Sequence, residues 1–367
     1  MAAPATPIWD LDPHSHGKHE ILRRYMQAWM AILGQSVPEL VYIDGFAGPG
    51  RYSRGEDGSP IIALKVALEH RAQIRSTIRF LFVEQHNERA NALAQILDGI
   101  ERPANFLVRV AGGTTFEQAV GSFLDEYGAK GQLPPPMFIF IDPFGWSRVP
   151  FQLVRRILSF RSCEALITFM YEEINRFIGH PDQEHNFDAF FGTDEWRHCI
   201  ALGAPKERKR YLHDLYLRQL RVAAGVQYVR SFEMRNEKDV TDYFLFYATH
   251  NLLGLKRMKE SMWVVDPSGA FRFSDATDPR QLVLFGGEPQ YEILRSQVTD
   301  RFRGQETTVG DIEKFVVAET AFRETHYKRQ VLRVLELSQP TRLVLIDPPS
   351  HRKAGTYPDL SQRVRFI

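Results

Sequence analysis

Tyr42-Ile43-Asp44-Gly45-Phe46-Ala47-Gly48-Pro49-Gly50-Arg51 is the stretch on which the fold turns. An apolar, β-branched and aromatic run ends at an acid, and the chain then turns through glycines that let the backbone approach a ligand where a side chain would block it. No Gly-Lys-Ser/Thr follows, so this is not a phosphate-cradling P-loop. Nor does it carry the G-x-G-x-x-G spacing of the dinucleotide fingerprint. Read from the acid, it is D-x-F-x-G-x-G.

Working outward, short apolar runs alternate with helical patterns. Strands are expected at Leu40 to Ile43, Ile78 to Val83, Phe106 to Val110, Met137 to Ile141 and Ala165 to Phe169, and helices begin near Ser59-Pro60, Asn87, Thr115 and Pro150. Five strands linked by four crossover helices make a parallel sheet. Val226 to Phe232 and Tyr243 to Ala248 would close it as a hairpin, giving seven strands. Upstream, Ile21, Leu22, Tyr25, Met26, Trp29 and Leu33 have helical spacing and place an extra helix on the sheet. The stretch 171–225 inserts beside the crevice that opens at the carboxyl ends of such strands.

The 367 residues suit a large domain with an appendage, and the expected boundary lies at 285. Residues 1–285 form the α/β unit. Within 286–367, three helical patterns and a terminal strand pair read as a winged helix-turn-helix, with Lys328 and Arg329 on its third helix. A hydrophobic share of 44 % with 25 % charged residues excludes disorder and a small disulfide scaffold. Two cysteines, no basic leader and no long apolar run predict a cytoplasmic protein with no membrane span. Forty-six basic against forty-five acidic residues give a charge of +1, so any anionic partner must meet a local basic face. Such faces are offered by Lys206 and Arg210, by Lys256, Arg257 and Lys259, and by Lys328 and Arg329. No His/Cys set has zinc spacing, so no metal site is expected.

The glycine turn is joined by chemistry at neighbouring strand ends. Glu84 closes the second strand, where a ribose can be held by its two hydroxyls. Gly113, in Ala111-Gly112-Gly113-Thr114-Thr115, would border a base or cap the next helix. Phe140-Ile141-Asp142-Pro143-Phe144-Gly145-Trp146 puts a carboxylate, a proline and aromatics at the end of the fourth strand. Asp347-Pro348-Pro349-Ser350, late in the chain, lacks any glycine loop or βα context.

The D-x-F-x-G-x-G segment resembles the first motif of class I S-adenosylmethionine (SAM) methyltransferases, and Asp142-Pro143-Phe144 is similar to the (D/N)-P-P-aromatic motif of amino-group methyltransferases. Here Phe144 replaces the second proline, and Trp146 stands one place beyond the aromatic slot. Together with Gly254-Leu255-Lys256-Arg257-Met258-Lys259 and Met262-Trp263, these segments resemble the three-Cys-motif partner protein family, from about Trp9 to Ile367. That resemblance implies S-adenosyl-L-methionine as cofactor and a three-cysteine, radical-SAM-like protein as partner. It implies Asp44, Gly45, Phe46, Gly48, Gly50, Glu84 and Gly113 at the cofactor, and Asp142, Pro143, Phe144 and Trp146 at the transferring end. A SAM-dependent methyltransferase acting on DNA, RNA or a nucleotide-like substrate is one expectation. The other is a methyltransferase-like module without catalysis that binds nucleic acid or docks the partner.

Overall fold

A computed structural model describes residues 13–71, 74–267, 272–274, 290–348 and 351–367. The chain divides into two compact units, Met1–Gly254 with Arg272–Leu282, and Leu255–Phe271 with Val283–Ile367. The boundary expected at 285 lies outside the described residues.

In the first unit the strands are β1 (Glu39–Asp44), β2 (Thr77–Glu84), β3 (Phe106–Gly112), β4 (Met137–Ile141), β5 (Cys163–Phe169), β6 (Tyr228–Arg235), β7 (Thr241–Thr249) and β8 (Arg272–Ser274). They form one sheet in the order β3-β2-β1-β4-β5-β7-β6-β8. β1 to β5 pair in parallel, whereas β7 runs antiparallel to both β5 and β6. Eight strands stand where seven were expected. The extra one is three residues long, below the length at which alternation can be read, and pairs in parallel with the outer edge of β6.

Helix α1 spans Pro13–Leu33, starting ahead of its apolar stripe, and α2 (Ser59–Leu68), α3 (Asn87–Asp98), α4 (Phe116–Ala129) and α5 (Phe151–Leu158) begin close to their sequence signals. Thr115 closes a capping box with Gln118 at the start of α4, and Pro60 occupies the first turn of α2, where its missing N–H costs nothing. Side chains alternate across the sheet, so its two faces have separate cores. Val41, Ile43, Ile139, Ile141 and Ile167 pack with α4 and α5. On the other face, Tyr42, Phe80, Phe82 and Phe138 form an aromatic layer, and Tyr25 and Trp29 of α1 rest on Phe138. Between β5 and β6 come α6 (Tyr171–Phe177), α7 (Glu184–Phe191) and α8 (Pro205–Arg218). Cys163 and Cys199 are both buried and free. Among the described residues no helix is long and apolar enough to cross a membrane.

The second unit contains most of α9 (Leu252–Val265), followed by α10 (Tyr291–Phe302), β9 (Glu306–Thr308) and α11 (Val309–Glu319). Next, α12 (Glu324–Tyr327), a π-helical turn (Lys328–Leu332) and α13 (Arg333–Glu336) run end to end, and β10 (Leu343–Leu345) and β11 (Arg363–Phe366) complete an antiparallel sheet in the order β10-β11-β9. β9 is again too short to read from sequence. Asp347 lies in the loop after β10, and Pro349 and Ser350 are outside the described residues. Lys259 on α9 is 1 % exposed. Its ammonium donates to the carbonyls of Val316 (2.9 Å), Val317 (3.0 Å), Thr320 (2.9 Å) and Phe322, which closes the end of α11. Replacing it by methionine keeps the stem but strands those carbonyls, so Lys259→Met should destabilise this unit by about 3 kcal/mol in a urea melt. An unchanged midpoint would refute the capping role.

Candidate active site

The parallel β1, β2 and β4 bring three acids to the same end of the sheet: Asp44 and Glu84 are the last residues of β1 and β2, and Asp142 directly follows β4. Between β1 and α2 the chain turns through Gly48 and Gly50, with φ of 63° and 85°. A Cβ on Gly50 would come within 2.7 Å of Leu93, so the turn requires glycine there on both counts. The loop is tied to β2 by its backbone. Gly48 N–H donates to Glu84 Oε2 at 3.0 Å, and His86 N–H donates to Glu84 Oε1 at 2.8 Å.

Two cavities open along this edge with Phe46 and Phe144 as their common wall. The first, of about 280 Å³, is lined among others by Gly45, Glu84, Gln85, Thr114, Phe116 and Arg148. The second, of about 90 Å³, is bounded by Gly48, Gly50, Lys18, Asp142, Pro143 and Tyr243. Of the residues singled out in the sequence, Gly45, Phe46, Gly48, Gly50, Glu84, Asp142, Pro143 and Phe144 therefore converge. Gly113, with φ 68°, lines neither cavity but donates its N–H to the Glu84 carbonyl at 3.1 Å, bringing Thr114 and Thr115 to the wall.

Two residues sit elsewhere. Trp146 is 5 % exposed and stacks face to face on Phe187 at 3.8 Å, with Phe190 at its edge. It is a core residue of the α7 contact and lines neither cavity. Asp44 is fully buried behind the glycine turn; Oδ1 accepts the Phe46 N–H at 3.2 Å, while Oδ2 has no hydrogen-bond partner among the described residues. Burial pushes its carboxyl from 3.8 up to about 7, against the smaller opposing pull of the Ser59 hydroxyl and the Phe46 amide.

The partners of Asp142 come from distant parts of the chain. Lys18 Nζ lies 2.5 Å from Oδ2, and the Thr168 hydroxyl donates to Oδ1 at 2.6 Å. Lys18 comes from α1, and its ammonium stands 5.2 Å from the centre of the Tyr243 ring. No local pattern marks a lysine 124 positions from its acid. Asp242 and Tyr243, at the start of β7, reach the second cavity because β7 runs against its neighbours and brings its amino end to the crevice. Their position follows from the reversed pairing, which the hairpin signal could have supplied.

The basic candidates divide. Lys206 and Arg210 are exposed, Arg210 lying 3.7 Å from Asp214, and Arg329 is exposed beside half-buried Lys328. Arg257 pairs with Glu260 at 2.8 Å, and Lys256 is ion-paired to Glu313. Lys259 is corrected outright, because an ammonium bound by four carbonyls and shut from solvent cannot meet a phosphate backbone.

No family model matches the chain, and no curated protein matches it. Among solved structures it is similar to a Legionella pneumophila protein of the family DUF519 (13 % identity, 63 % of this chain and 85 % of that one, TM-score 0.38) and to a DUF574-family protein of Streptomyces avermitilis (12 %, 64 % and 87 %, TM-score 0.31). It is similar also to the methyltransferase domain of bacterial CtHen1 (7 %, 62 % and 99 %, TM-score 0.29). These likenesses are slight, and the chemistry of the site rests on its own geometry.

Asp44 gives a pH signature. Its stabilising contribution is complete below pH 3.8, where folded and unfolded chains both hold the proton, and is lost as pH rises towards 7, because only the unfolded chain ionises freely across that window. Between pH 4 and 7.5 the native protein should lose about 4 kcal/mol of stability that Asp44→Asn does not lose, read from urea melts at the two values. Parallel losses in both proteins would contradict the raised carboxyl.

Proposed function

We propose that the chain is a class I SAM-dependent methyltransferase. The observation that carries this is Glu84. Two of its lone-pair sites are filled by the Gly48 and His86 amides, yet it lines the first cavity, which leaves acceptor capacity for the two hydroxyls of a ribose. The residues present fit the rest of such a cofactor. Phe46, Phe116 and Phe144 offer apolar walls to an adenine, and the glycine turn opens backbone to the second cavity. The unpaired buried oxygen of Asp44 lies behind that turn, where an approaching ammonium would favour its ionised form. The sheet order also agrees, with five parallel strands closed by a hairpin whose β7 is inserted antiparallel beside β5.

When bound, the cofactor supplies an electrophilic methyl group on a sulfonium. What the chain adds is position. Asp142, paired with Lys18 and bonded by Thr168, is held in a fixed orientation by those contacts, and its role is to orient an amine or hydroxyl. Pro143 and Phe144 shape the entrance beside it. The substrate we propose is a nucleic acid or nucleotide-like molecule. The exposed Lys206, Arg210 and Arg329 support this, as does a C-terminal unit read as a winged helix from its helices and three-stranded antiparallel sheet. A three-cysteine, radical-SAM-like partner is proposed from the family resemblance alone.

A second reading is favoured by one specific observation. The Lys18–Asp142 pair occupies the place where an acceptor amine would bind, which suits a module that keeps the cofactor fold without transferring a methyl.

Titration calorimetry with SAM and S-adenosylhomocysteine tests the cofactor. Native protein should bind both, Glu84→Gln should bind about tenfold or more weakly through loss of charge-assisted hydrogen bonds, and Gly48→Trp should not bind. Native protein that binds neither ligand, or a Gly48→Trp variant that binds normally, would end this reading. Labelled-methyl transfer onto DNA, RNA, tRNA and the three-cysteine protein then separates enzyme from module.

A further inference from the structure

Away from the two cavities, the insertion between β5 and β6 forms an open concavity of about 320 Å³ where the end of α6 meets the start of α8. Its polar lining is Asn175, Arg176, His180 and Arg208, over Ile178 and Ile200. Three nearby cations of the same insertion lie against carboxylates: Lys209 on Glu233 at 2.7 Å, Arg197 on Asp188 at 2.6 Å, and Arg218 on Glu195. Among the described residues, Arg176 and Arg208 have no such partner.

Among the described residues, Arg208 is held by neutral acceptors, the Leu202 carbonyl at 3.2 Å and Asn175 Oδ1 at 3.5 Å. Its Nε is buried and, among the described residues, has no hydrogen-bond partner. A partly desolvated guanidinium with an unmet N–H costs free energy unless an anion satisfies it. Arg176 is aligned by lying over the Phe177 ring at 5.2 Å, and His180 packs on the same ring at 5.5 Å. Stacking orders the guanidinium plane and leaves its N–H edge for an acceptor. Arg208 also stands in the first turn of α8, the positive end of that helix.

Two guanidiniums, an imidazole and an amide around one opening match the several oxygens of a phosphate, which arginine recognises in pairs of parallel hydrogen bonds. We propose that this concavity binds a phosphate group. The site does not depend on the methyltransferase reading, though a phosphodiester on a polynucleotide would serve both. A purely structural alternative is that the arginines close the carbonyl end of α6, which would make them matter to stability and not to ligands.

Calorimetric titrations with inorganic phosphate and with a single-stranded oligonucleotide test it, using native protein, Arg176→Ala and Arg208→Gln, with near-ultraviolet circular dichroism as the check on folding. Native protein should bind phosphate, and Arg176→Ala, whose side chain is exposed, should bind it about tenfold or more weakly while remaining folded. If the oligonucleotide is weakened as well, with its salt slope reduced by about 0.7, the phosphate belongs to a polynucleotide. If only inorganic phosphate is weakened, the site takes a free phosphoester. Native protein that binds no phosphate in the millimolar range, or the same phosphate affinity in native protein and both variants, overturns the proposal. SAM binding measured on the same samples should be unchanged in Arg176→Ala, so failure here and failure of the cofactor reading remain distinct.

Discussion

Three carboxylates gather where β1, β2 and β4 end, and the crevice can exist only because each is neutralised differently. Charges taken out of water must be paired, hydrogen-bonded or protonated. Asp44, fully enclosed, holds a proton up to about pH 7. Glu84 is met by two backbone N–H groups, which also fasten the glycine turn to the tip of β2. Asp142 is met by the ammonium of Lys18 and the hydroxyl of Thr168. The loop, the first helix and β5 are thus each anchored through an acid at the end of a strand.

These solutions give the acids different chemistry. A protonated Asp44 responds to a nearby positive charge. Glu84, with acceptor sites left over, is suited to hydroxyls and is fixed in orientation by the amides it already holds. Asp142 is committed to an ion pair, so whatever enters the second cavity meets a Lys–Asp dipole beside the Tyr243 ring and not a lone base.

Much of this was legible in the sequence where the information is local. Met137–Ile141 is buried on both faces, and its unbroken apolar run reads as a central strand. Glu84 and Asp142 are legible because an acid closing such a run lies at a carboxyl end. What escaped depends on distant contacts. β5 starts at Cys163 because Glu164 is taken up by Tyr25, Tyr247 and Thr249, three residues no window around it contains. Lys259 reads as a solvated basic face until the end of α11 closes over it, and Trp146 reads as a pocket aromatic until α7 supplies Phe187. Lys18 is unremarkable in its helix and acquires meaning only through the tertiary pairing with Asp142.

The reversed direction of β7 bears on how the chain reaches this state. β4 and β5 can pair as soon as they are made, but the free edge of β5, a run of Cys163-Glu164-Ala165-Leu166-Ile167-Thr168-Phe169, is covered only when β7 arrives from beyond the whole insertion. During synthesis that edge is a long, nearly uncharged template for pairing with another chain, and only the β6–β7 hairpin can close it correctly. The same closure brings Asp242 and Tyr243 to the crevice. Nascent chains that stall before residue 249 therefore combine an incomplete second cavity with an uncovered strand edge.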